Sequence, residues 1–140
     1  MAIQHVKSKR FLSVEPHNTN KIALHETLHP DMSVFDIHER RESRLIGFKN
    51  KCTGTWLGQS TLGSIMCHAK TFGRNEEWEF DDGAMTRTKM LCASANWGNG
   101  GWLEADDERE AFSIGGHTVD SKKNASEWSV SVLDNSSNSE

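Results

Sequence analysis

His25-Glu26-Thr27-Leu28-His29 carries the sharpest chemical spacing in this chain. On a helix, two histidines four residues apart share one face and can hold Zn²⁺, while the glutamate between them activates a water. The local sequence opposes that geometry. Pro30 biases His29 away from helical dihedrals, and Ile22-x-Leu24 just ahead alternates with the period of a strand. No Gly-x-x-His follows, so His38 or Glu39 would have to complete the ligand set. The residues favour a strand end running into a turn, and a zinc-dependent hydrolase stays only as the remote alternative. No catalytic residue, metal ligand or cofactor is assigned.

The other reactive residue types are no better placed for catalysis. Cys67 and His68 are neighbours, but adjacent strand residues point to opposite faces and cannot act as nucleophile and base. Cys67 shares a face with Ile65 and reads as a small core residue. With Cys52 and Cys92 it makes an odd count without metal spacing, which points to reduced thiols. Gly98-Asn99-Gly100-Gly101 lies between period-2 segments, so it reads as a hairpin loop and not as a phosphate cradle. Asp106-Asp107-Glu108-Arg109-Glu110 lacks the ligand spacing of a calcium loop and reads as a solvated connection.

Two sets of residues suit binding instead. Asn96, Trp97 and Asn99 put an aromatic face beside side-chain amides in a glycine-rich loop, a combination suited to a sugar ring or a protein side chain. The competing expectation is that Trp97 folds back and stacks on Trp102. Lys7, Lys9 and Arg10, with Arg40, Arg41 and Arg44, form two short basic clusters that would suit an acidic protein partner. Lys122-Lys123 reads as solvated surface. A net charge of −4 argues against nucleic acid as a partner.

The elements that must hold these residues recur three times. An aromatic–leucine pair (Phe11-Leu12, Trp56-Leu57, Trp102-Leu103) is followed by an apolar doublet (Ile22-x-Leu24, Ile65-x-Cys67, Phe112-x-Ile114). A third aromatic then opens an alternating run at Phe35, Trp78 and Trp128. The steps from leucine to the end of the doublet are 12, 10 and 11, and from there to the third aromatic 11, 11 and 14. A strand-like segment precedes each aromatic–leucine pair, at Ile3–Val6, Leu45–Phe48 and Met90–Ala93. Four strands per repeat of roughly 45 residues, three times over, predict an all-β fold of the β-trefoil type. The repeats are expected at 1–39, 40–84 and 85–134 of one domain, with 135–140 a disordered polar tail.

Gly101-Trp102-Leu103-Glu104-Ala105, Ser64-Ile65-Met66-Cys67-His68-Ala69 and Glu127-Trp128-Ser129-Val130 together resemble the strands of fascin-like β-trefoils, the actin cross-linking superfamily. The chain departs from ricin-type lectins, since none of the three tryptophan strands holds Gln-x-Trp. The resemblance implies a non-enzymatic binding module, with filamentous actin the specific expectation and the six basic residues its contacts. Carbohydrate binding through the third-repeat loop is the alternative. There is no apolar run of membrane-spanning length and no apolar signal core at Met1–Lys7, so a cytoplasmic protein with no membrane partner is expected.

Overall fold

The computed structural model describes residues 1–15, 20–61, 63–106, 111–114 and 119–133. The expected tail at 135–140 and the acidic run from Asp107 to Glu110 lie outside them. The chain is all-β, with strands β1 (Ala2–His5), β2 (Phe11–Val14), β3 (Ile22–His25), β4 (Phe35–Glu39), β5 (Ile46–Asn50) and β6 (Trp56–Gln59). They continue as β7 (Ile65–Ala69), β8 (Trp78–Phe80), β9 (Met90–Cys92), β10 (Gly101–Asp106), β11 (Ala111–Ile114) and β12 (Trp128–Ser131). No helix among the described residues is long and apolar enough to cross a membrane.

Every strand pairing is antiparallel, and the recurrent sequence spacing becomes recurrent register. Leu12 lies opposite Leu24, Leu57 opposite Cys67, and Leu103 opposite Ile114, each in a hairpin of its own. A bulge between Trp56 and Leu57 interrupts the second hairpin. The remaining six strands link into a ring. β12 pairs with β1, β4 with β5, β5 with β8, and β8 with β9. The Phe35 N–H donates to the Met1 carbonyl at 2.8 Å and Thr88 bridges to Trp128, completing the circuit. Such closure leaves few unpaired strand edges in the ring.

The core sits inside this ring and under the hairpins. Leu12, Leu57, Leu103, Phe35, Trp78 and Trp128 are all fully buried, together with Ile3, Phe48, Met90 and Cys92. The Trp78 indole N–H is satisfied by the Leu57 carbonyl at 2.9 Å, which ties the third aromatic of one segment to its own hairpin. Each large side chain so buried contributes about 1.5–3 kcal/mol relative to exposure. Trp102 is buried in a satellite cluster with Leu91 and Ala125.

Three short helical features break the strand pattern. Arg74–Glu76 forms a single 3-10 turn ahead of β8, Ala95–Gly98 makes a tight turn between β9 and β10, and Val119–Asn124 is a six-residue helix. None is long enough to imprint a 3.6-residue period on the sequence.

Candidate functional site

Two of those features wall a cleft of about 680 Å³ on the outside of the strands. Its sides are the end of β6 with the residues after it (Gln59, Ser60, Thr61 and Gly63), the Arg74–Asn75 turn, and the Ser94–Gly98 turn. The volume falls within the range usual for small-ligand sites, roughly 300–1,000 Å³.

Gly58 lets the walls approach. A Cβ built there would lie 2.4 Å from the Asn75 carbonyl oxygen and 3.0 Å from Glu76 Cγ, so only a glycine admits the Arg74–Glu76 backbone against β6. The Cys92 thiol also reaches this carbonyl, at 3.5 Å. Glu76 turns inward, is buried, and accepts the Gly73 N–H at 3.0 Å. Burial pushes its carboxyl above the usual carboxylate range, against the opposing pull of the Gly73 N–H, His68 and Arg40.

Gln59 fixes the opposite wall. Its Oε1 accepts the Asn96 backbone N–H at 2.8 Å, while its Nε2 donates to Asn96 Oδ1 and to the Gly63 carbonyl, both at 3.2 Å. Asn96 and Trp97 both stand in the left-handed region, at φ 53° and 62°. Such residues cost about 1–3 kcal/mol each and persist where the surroundings over-determine them. Here the Gln59 clamp, the buried Ala95 and the Gly100 N–H donating to the Ala95 carbonyl at 2.8 Å do so. Asn99 Nδ2 adds a bond to the Asn96 carbonyl at 3.0 Å. The product of this strain is a single displayed side chain. Trp97 is 99 % exposed, the most exposed large apolar residue described.

The structure therefore brings Asn96 and Trp97 onto the cleft, with Asn99 bracing the turn behind them. It rejects the alternative in which Trp97 stacks on Trp102. Trp102 is buried, with the Lys122 ammonium 5.2 Å from its ring, and Trp97 covers nothing. Positive φ at Asn96 and Trp97 turns the indole outward. Gln59, Arg74, Asn75 and Ser94 were missed by the sequence reading. One signal was available for Gln59 and Asn75: Gly58 stands within a strand where the other two segments have Ser13 and Glu104, and an interior strand glycine marks close backbone approach.

The six basic residues form no single surface of free charge. Arg10 pairs with Glu26 at 3.6 Å and Arg44 with Glu39 at 3.7 Å. Arg40 is part of a half-buried stack: its guanidinium lies 3.9 Å over the Phe72 ring and pairs with Glu77 at 2.6 Å. Phe72 in turn stacks on Trp56 at 4.7 Å. Lys7, Lys9 and Arg41 are exposed, with Lys7 on the rim of a second cleft that includes Arg87 and Glu127.

His25 closes β3 opposite Phe11, and His29 lies in the turn beyond, where its Nδ1 accepts the N–H groups of Asp31 (3.2 Å) and Met32 (3.1 Å). The two rings do not share a helical face. Cys67 and Cys92 are buried, and Cys52 is exposed. Burial raises both buried thiols, Cys92 to about 12.

No family model and no curated protein matches the chain. Among solved structures it is similar to the GlcNAcα1-4Gal-releasing endo-β-galactosidase of Clostridium perfringens, with a TM-score of 0.70 at 17% identity. The likeness covers 95% of this chain and 32% of that enzyme, so the chain spans about a third of the enzyme's length. It is a likeness of fold.

Proposed function

We propose that this chain is a non-catalytic carbohydrate-binding module with β-trefoil architecture, its repeats running over 1–39, 40–84 and 85–134. The ring of six strands with three hairpins, paired in like register, supports the trefoil. The observation that carries the function is the complete exposure of Trp97 on the rim of a cleft lined mostly by polar residues. A flat aromatic face takes up the C–H face of a pyranose, and the amides of Asn75 and Asn96 and the hydroxyls of Ser60 and Ser94 suit its ring hydroxyls. The strained turn meets the ordering cost in advance, so binding need not. A shared fold with part of a carbohydrate-active enzyme adds support.

The lining suits binding better than turnover. Glycoside hydrolysis ordinarily needs two carboxyl groups flanking the bond, and none of the described residues lining this cleft is Asp or Glu. The actin expectation gains nothing from the structural neighbour, and three of its six proposed contacts are already ion-paired.

A glycan array probed with the wild-type chain and with Trp97→Ala tests the proposal. Loss of an aromatic anchor is expected to weaken binding by on the order of 2 kcal/mol, about 30-fold. Melting temperature should hold, because an exposed indole contributes no burial. Unchanged glycan binding in the variant would refute the assignment.

A further inference from the structure

We propose, resting on the carbohydrate-binding reading above, that the cleft selects sugars bearing an oxyanion, a uronate or sialate carboxylate or a sulfate, and that Arg74 reads it. Arg74 is the one charged residue among the described residues lining the cleft. The stretch Arg74-Asn75-Glu76-Glu77 suggests a self-neutralised surface, but the fold separates the charges. Glu76 is turned inward onto the Gly73 N–H, and Glu77 is taken by Arg40 at 2.6 Å. Among the described residues no carboxylate pairs with Arg74, which stays exposed. The guanidinium is thus left with its donors unspent beside the amide of Asn75.

The chain holds 20 acidic and 16 basic residues, so its surface is not generally attractive to anions. An unneutralised guanidinium in a concave site supplies a planar fork of N–H donors that matches a carboxylate bidentately and a sulfate nearly as well. A neutral sugar would leave that fork facing only water. An anionic sugar seated with its ring on Trp97 would satisfy both features at once.

The test uses the intact chain on an array carrying neutral, uronate-, sialate- and sulfate-bearing oligosaccharides, repeated with Arg74→Gln and Arg74→Lys. The wild type is expected to bind one or more of the acidic classes about 10- to 100-fold more tightly than their neutral counterparts. Arg74→Gln should bring the acidic sugars down to the affinity of their neutral counterparts, and Arg74→Lys should keep part of the preference. The separate acidic arms identify which oxyanion is read. Equal binding of neutral and acidic sugars, or a preference that survives Arg74→Gln, would overturn the inference and leave the carbohydrate reading standing. No signal with any sugar would overturn both. Melting curves of the two variants confirm the fold, since Arg74 is exposed and its replacement touches no core residue.

Discussion

Gly58→Ala is a small perturbation with a calculable consequence. The added methyl would stand 2.4 Å from the Asn75 carbonyl oxygen, where ordinary contact begins near 3.4 Å, so the walls must separate by about 1 Å. The obstacle is backbone, which cannot swing aside as a long side chain can. Overpacking of this kind costs about 1–3 kcal/mol, or about 4–12 °C in Tm for a domain of this size. The displacement falls on Arg74 and Asn75, whereas the Gln59–Asn96 clamp and Trp97 belong to the other wall. Affinity for acidic sugars should therefore fall more than affinity for neutral ones. Gly83→Ala is the matched control, because a Cβ there meets nothing within 4 Å. Thermal denaturation and oligosaccharide titration of both variants decide the matter. If Gly58→Ala melts and binds as Gly83→Ala does, the close approach does not position the site.

Three further predictions concern ionisable groups. A thiol-reactive disulfide at pH 8 should modify Cys52 alone in the native chain and all three cysteines after unfolding, because Cys67 and Cys92 are buried with raised pKa values. The raised Cys92 pKa has a stability counterpart. Its contribution is complete below the ordinary value of 9.0 and is lost as pH rises toward about 12, visible as a Tm that falls over that window in wild type. Glu76→Gln keeps an acceptor for the Gly73 N–H while removing a carboxyl whose pKa is raised by burial. Ionisation of Glu76 withdraws stability as pH rises above 4.5, so the variant should melt higher than wild type at pH 7 and match it below pH 4.5. A variant that melts lower at pH 7 would contradict that sign.

What the sequence disclosed followed from local periodicity. Leu12, Leu57 and Leu103, with Phe35, Trp78 and Trp128, recur at similar steps because each occupies an equivalent buried place in the strand pairing. Trp97 stood out because no other segment has a counterpart to it. The cleft itself was not legible, since Gln59 ends a strand while Arg74 and Asn96 come from two separate turns, and the three meet only through tertiary packing. Arg74 was hidden by its neighbours: its charge looks cancelled until the fold sends Glu76 and Glu77 elsewhere. The basic clusters misled in the converse way, because Arg40 reads as free surface charge but is spent on Phe72 and Glu77. The Val119–Asn124 helix is too short to leave a periodic trace.

The central claim is that sugar binds against Trp97, and the indole N–H resonances of the five tryptophans test it most directly. An oligosaccharide selected on the array would be titrated into the isotope-labelled chain and into Trp97→Ala. The account predicts that the Trp97 signal shifts and saturates while those of the buried Trp56, Trp78, Trp102 and Trp128 hold still, and that the variant binds about 30-fold more weakly. A Trp97 signal that stays fixed while the sugar binds would contradict it.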